Sequence, residues 1–158
     1  MKYVVIFFTH SGKTRVCAEA ISKEVEADLR EIKLKKNRKG FLLYFLGGFE
    51  ALLGKKVELL DPNYDLSGYD AVILASPTWA NRQAPAVFTF ASNTDFSGKK
   101  VMLFTVSMNK PENVKNTLLP FIRKTGGEFV GKAGVCVLGK NDDQLKQEAI
   151  KMIKGINK

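Results

Sequence analysis

Short apolar runs alternate with stretches of helical periodicity along the chain. Val4, Val5, Ile6, Phe7 and Phe8 are contiguous and apolar, the pattern of a strand buried on both faces. Residues 9–14 then read Thr-His-Ser-Gly-Lys-Thr, a turn. Val16, Cys17, Ala20, Ile21 and Val25 follow at helical spacing. Residues 29–34 alternate as Leu-Arg-Glu-Ile-Lys-Leu and predict a more exposed strand. Residues 71–75 and 101–104 are again wholly apolar and predict two more buried strands. Pro85 suits the first turn of a helix. Pro111 can open another helix, with Val114, Leu118, Phe121 and Ile122 on one face. Pro120 should kink or divide that helix, and Gly126 and Gly127 should end it. Residues 129–138 contain a fifth strand. Asn141, Asp142 and Asp143 then place a cap and negative charge at a helix start, with Leu145, Ala149, Met152, Ile153 and Ile156 as its buried stripe.

Five strands alternating with helices predict an α/β sandwich built on a parallel sheet. Right-handed crossovers place helices on both faces. In such folds ligands bind outside the carboxyl ends of the strands, which singles out the loops after Phe8, Ala75 and Phe104.

Composition narrows the function. The chain has 158 residues, the size of one domain spanning 1–158. Its two cysteines, Cys17 and Cys136, both sit in apolar, regular stretches; they read as buried free thiols, which suit a reducing compartment. The only histidine is His10, so a multi-histidine metal site is excluded. No apolar run reaches the roughly 18 residues of a membrane span, and no signal peptide is evident, so the expected location is cytoplasmic. The formal net charge is +9, which favours anionic partners. The lysines are spread over every predicted helix, which argues against a dedicated nucleic-acid site.

The first loop joins a buried strand to a helix, where free backbone N–H groups and the positive helix end converge on an anion. Thr9, Ser11 and Thr14 add hydroxyls, Gly12 permits a tight turn, and Lys13 either adds charge or points to solvent. A nucleotide-triphosphate loop would need glycine where Phe7 stands, and the strand 71–75 ends without the aspartate that would hold magnesium.

Thr9-His10-Ser11-Gly12-Lys13-Thr14 resembles the phosphate loop of the flavodoxin family, which lies at the same place after the first strand. The segment 75–86, Ala-Ser-Pro-Thr-Trp-Ala-Asn-Arg-Gln-Ala-Pro-Ala, is similar to that family's loop after the third strand. The resemblance implies a flavodoxin-like three-layer sandwich with a five-stranded parallel sheet in the order 2-1-3-4-5, and FMN as cofactor. It implies that the loop 9–14 holds the FMN 5′-phosphate. It further implies that Ser76, Pro77, Thr78 and Ala80 fix the flavin edge through backbone groups. Trp79, flanked by Ser76, Thr78 and Asn81, is either a packing residue or a ring that lies against the flavin, and its polar setting favours the second. The third loop, Thr105, Ser107, Met108 and Asn109, carries neither the tyrosine nor the paired glycines frequent in the family. Met108 can cover the ring as a soft apolar contact. His10 either contacts the ligand or is solvated.

The expected function is an FMN-dependent electron carrier with a redox partner protein, an acidic one given the charge of this chain. Two alternatives stand beside it: an oxidoreductase passing hydride from NAD(P)H through FMN to quinones or other small acceptors, and a non-redox binding domain of the same fold. Phe41, Leu42, Leu43, Tyr44, Phe45 and Leu46 open a strongly apolar segment that ends at Leu53 and is flanked by lysines. They cannot all face one sheet from a helix. A homodimer or membrane-surface contact is as good a reading of it as a buried crossover helix.

Overall fold

A computed structural model describes residues 1–35, 56–62 and 64–156. The apolar segment 41–53 lies outside the described residues. Five parallel strands form the sheet: β1 (Tyr3–Phe7), β2 (Asp28–Glu31), β3 (Ala71–Trp79), β5 (Lys100–Ser107) and β6 (Glu128–Cys136), in the order β2-β1-β3-β5-β6. A two-residue strand, β4 (Arg82–Gln83), pairs antiparallel with the end of β3. With that short strand set aside, the order is 2-1-3-4-5.

Alternation along each central strand divides the core in two. Val4 and Ile6 of β1, Val72 and Leu74 of β3, and Val101 and Leu103 of β5 face one side. There they pack on α2 (Pro85–Asn93) through Ala86, Val87 and Phe90, and on Ile122 of α3 (Leu119–Lys124). Val5, Phe7, Ile73, Ala75, Met102 and Phe104 face the other side. They meet Cys17 and Ile21 of α1 (Lys13–Glu24) and Leu145, Ala149 and Ile153 of α4 (Asp142–Ile156). Period-2 burial on both faces requires the continuous apolar runs seen in the sequence. The edge strand β2, with one neighbour, is mostly exposed.

Several boundaries differ from expectation. The strand after Ala71 does not stop at Ala75 but runs to Trp79, because β4 folds back to pair with its end. The strand expected over 29–34 ends at Glu31, and Leu34 makes only an isolated antiparallel bridge to Leu59. After Pro111 there is a single 3₁₀ turn, Pro111–Asn113, and the helix restarts at Leu119. Pro120 explains the break: in the first turn its missing N–H costs nothing, whereas mid-helix it would clash with the preceding turn. In α4, Asn141 Oδ1 accepts from Gln144 N at 2.9 Å while Gln144 Oε1 accepts from Asn141 N at 3.0 Å, a reciprocal cap. Met152 is 38% exposed rather than part of the buried stripe. Cys136 is half-buried rather than buried, because it sits at the last position of the edge strand β6. Among the described residues, no helix is long and apolar enough to cross a membrane.

Candidate functional site

The turn from β1 into α1 is shaped by Gly12. Its φ of +86° lies in the left-handed region, and a Cβ there would meet no atom within 4 Å. The requirement for glycine is therefore conformational rather than steric. Gly12 N donates to Thr9 Oγ1 at 3.1 Å, which closes the turn, and Val16 N donates to Gly12 O as the first helical bond. The amides of Lys13, Thr14 and Arg15 consequently have no carbonyl one turn back, and they point out of the helix start. The first turn of α1 holds no acidic residue. Ser11 is exposed and Thr14 is buried under the turn. Lys13 does not point free into solvent: its Nζ lies 2.7 Å from Asp142 Oδ1 at the start of α4. That hydrogen bond and charge hold the Asp142 carboxyl below the usual carboxylate range. Three residues beyond the turn's last hydroxyl, on Thr14, the Cys17 thiol is pushed up to about 12, first by burial and then by Glu148 and Asp142, against Lys13. It is a neutral packing group, not a nucleophile.

The segment after Ala75 is a β-hairpin. Ala80 and Asn81 have φ of +50° and +58°, the mirror-image turn that suits a two-residue hairpin. Asn tolerates that conformation; Ala adopts it at a cost. Ser76 is buried and its hydroxyl is used internally, accepting from Ala84 N at 2.9 Å and donating to Pro77 O at 2.8 Å. Trp79 is 9% exposed and meets two rings edge to face: Phe8 at 6.1 Å and His10 at 6.3 Å. The same indole therefore packs on the core and borders the loop 9–14.

The third segment is the end of β5 and the residues beyond it. Thr105 is buried in the strand, and its Oγ1 donates to Ala133 O of β6 at 3.3 Å. Ser107 is buried and accepts from Asn109 N at 3.0 Å. Met108 is 59% exposed and Asn109 is exposed. Between this segment and the hairpin lies a cleft of about 290 Å³. Thr78, Trp79, Ala80 and Asn81 line one side of it, and Ser107, Met108 and Asn109 the other. Ser76, Pro77 and Thr105 stand behind it, in the strands.

Two links that the sequence did not reveal tie the hairpin to the segment between the 3₁₀ turn and α3. Asn81 O accepts from Lys115 N at 2.9 Å. Gln83 Oε1 accepts from Thr117 N at 3.1 Å and from Thr117 Oγ1 at 2.6 Å. Only the hairpin register, Thr78 opposite Gln83, brings these groups together. No spacing in the sequence signals it.

The arrangement offers amide donors at a helix start and, past His10, an indole-walled cleft at the same sheet edge. It suits a ligand with an anionic tail and a flat ring. A family model described as a flavodoxin domain matches residues 50–153. The chain belongs to the flavodoxin family. Solved structures of similar fold agree. A candidate flavoprotein from Bacteroides uniformis is 22% identical, with 92% of this chain and 96% of that one covered and a TM-score of 0.75. A flavoprotein from Lactobacillus acidophilus, solved in complex with FMN, is 20% identical over 94% and 98% of the two chains, with a TM-score of 0.69. The Trp repressor binding protein of Bacillus subtilis is 16% identical over 96% and 98%, with a TM-score of 0.61. No curated protein sequence matches the chain. In this flavodoxin-family chain the matched residues 50–153 include the hairpin and the end of β5 but not the β1–α1 turn.

Proposed function

We propose that this flavodoxin-family protein binds FMN at the carboxyl edge of its sheet and carries electrons between proteins. The observation that carries the reading is the junction of the β1–α1 turn with the cleft through His10 and Trp79. The residues present fit the cofactor. The amides of Lys13, Thr14 and Arg15 and the hydroxyls of Thr9, Ser11 and Thr14 would hold the 5′-phosphate, at the helix end that favours negative charge. Asp142, the nearby carboxylate, is neutralised by Lys13. Trp79 and Met108 would wall the ring, and backbone groups of Thr78, Ala80 and Asn81 would bond its polar edge. Bound FMN supplies the redox chemistry, taking up and releasing electrons at its ring; the chain holds and orients it and shields part of its surface from water.

The exposure of Met108 leaves one side of the cleft open, which also suits an oxidoreductase that admits NAD(P)H and a small acceptor such as a quinone. Steady-state NAD(P)H oxidation by the FMN-loaded protein separates the two: a carrier shows no sustained turnover with quinones, and an oxidoreductase does. Two unpaired thiols, Cys17 and Cys136, favour a reducing compartment, in keeping with a cytoplasmic carrier.

A further inference from the structure

Three cations, Arg82, Lys110 and Lys115, stand beside the cleft lining, with Glu112 and Glu148 lining a neighbouring pocket that Lys110 shares. Arg82 follows Asn81 and pairs in register with Trp79. Lys110 follows Asn109, and the backbone of Lys115 is bonded to Asn81 O at 2.9 Å. Each is thus within one residue, or one hydrogen bond, of the cleft lining. Among the described residues none of the three forms an ion pair. Glu112, exposed between Lys110 and Lys115, is the carboxylate nearest them in sequence. Lys132 adds a further positive group beside it, its Nζ bonded to Glu112 O and Val114 O. At the other end of the site, Lys13 is already paired with Asp142 and Arg15 with Glu31.

The same edge exposes apolar side chains. Met108 is 59% exposed and Leu138 is 69% exposed. Val137 N donates to Ser107 O at 2.8 Å, so Met108 and Leu138 each follow one end of a backbone link between the last residue of β5 and the residue after β6. A small anion needs no such apolar surface. An apolar centre with a charged rim is the anatomy of a protein interface.

We propose that Arg82, Lys110 and Lys115, around the exposed Met108 and Leu138, form the docking surface for an acidic redox protein. The proposal rests on the electron-carrier reading and identifies the partner of that site by its charge. Opposite charge at the rim steers encounter and aligns the flavin edge with the partner's redox centre. Bound reduced FMN would supply the electron that the partner's oxidised centre takes up, while these residues would hold that centre near the cleft.

Native ferricytochrome c, which is basic, and the same cytochrome with its lysines succinylated, which is acidic, test this as a matched pair of one-electron acceptors. The FMN-loaded, reduced protein is mixed with each across a salt series. The acidic form should be reduced at least about tenfold faster at low salt, and salt should erase the advantage. Lys110→Glu with Lys115→Glu should remove the preference. Lys100→Glu with Lys124→Glu, an equal charge change at the opposite sheet edge, should preserve it. Adding Arg82→Glu to the first pair should invert it, and Leu138→Ser should slow the acidic form while leaving ferricyanide unaffected. Equal effects of the two double variants would assign the behaviour to net charge and overturn the proposal. So would a preference for the basic form. Binding of the wild type to anionic phosphatidylserine vesicles that is lost in Lys110→Glu/Lys115→Glu, with no preference between the cytochromes, would make the surface a membrane site instead. Failure of the wild type to retain FMN would fail the underlying reading, and it is seen before any rate is measured.

Discussion

His10 and Trp79 meet edge to face, with ring centroids 6.3 Å apart and planes at 84°. His10 lies in the turn between β1 and α1, and Trp79 ends β3, so this contact joins the helix-start anion site to the cleft. Trp79 is the only tryptophan in the chain, which makes it a local reporter. Its emission should fall as FMN binds, and riboflavin at saturating concentration should give a similar fall, because the ring and not the phosphate lies near the indole. Unchanged emission in a titration where flavin fluorescence reports binding would remove Trp79 from the site.

Gly12→Ala should weaken FMN binding and lower stability together. A Cβ at that position meets nothing, so the whole effect comes from forcing alanine to φ near +86°, at a cost of about 1–2 kcal/mol. Urea unfolding with and without FMN measures both. A variant as stable as the wild type would show that the turn relaxes to a right-handed conformation.

Much of this architecture is legible in the sequence because the central strands are buried on both faces. Val4 to Phe7 and Ala71 to Ala75 have to be continuously apolar, and their shortness, β-branched content and flanking turn residues separate them from a buried helix. The β1–α1 turn is legible for a related reason: Gly12 and the hydroxyls beside it are local features. The hairpin is not. Ser76 to Trp79 look like loop residues because their strand pairing depends on β4, two residues long, whose partner lies across a turn of Ala80 and Asn81 with no glycine to announce it. The Gln83–Thr117 link joins positions that only the folded chain brings together.

That link should matter to stability. Gln83 is 2% exposed; its Oε1 accepts twice from Thr117, while its Nε2 has no partner among the described residues. Gln83→Leu leaves the Thr117 amide and hydroxyl without their acceptor, and should destabilise by about 1–3 kcal/mol. Gln83→Glu keeps the acceptor but buries a charge. Its loss should therefore grow as pH rises through the carboxylate range, with Gln83→Leu showing no such trend. Denaturant midpoints at several pH values check both.

The two thiols should separate cleanly by chemistry. Cys136 is half-buried and donates to Met108 O at 3.4 Å, whereas Cys17 is buried with its thiol pushed up to about 12. Iodoacetamide should modify one thiol of the native protein and both in denaturant, with the native reaction absent in Cys136→Ser. Cys17 holds its proton in the folded state up to about 12 while an unfolded thiol releases it near 9.0. Its contribution to stability is therefore complete below pH 9.0 and declines as pH rises toward 12. Cys17→Ala should flatten that alkaline decline; an unchanged decline would place its origin elsewhere.

The measurement that bears most directly on FMN recognition at the β1–α1 turn is a paired titration of the apoprotein with FMN and with riboflavin, followed by flavin fluorescence. The two ligands differ only in the 5′-phosphate. Charge-assisted hydrogen bonds contribute about 1.5–3 kcal/mol each, so FMN should bind at least about tenfold more tightly. Ser11→Ala should weaken FMN while leaving riboflavin almost unaffected. Equal affinity for the two flavins in the wild type, or no affinity for either, would contradict the account.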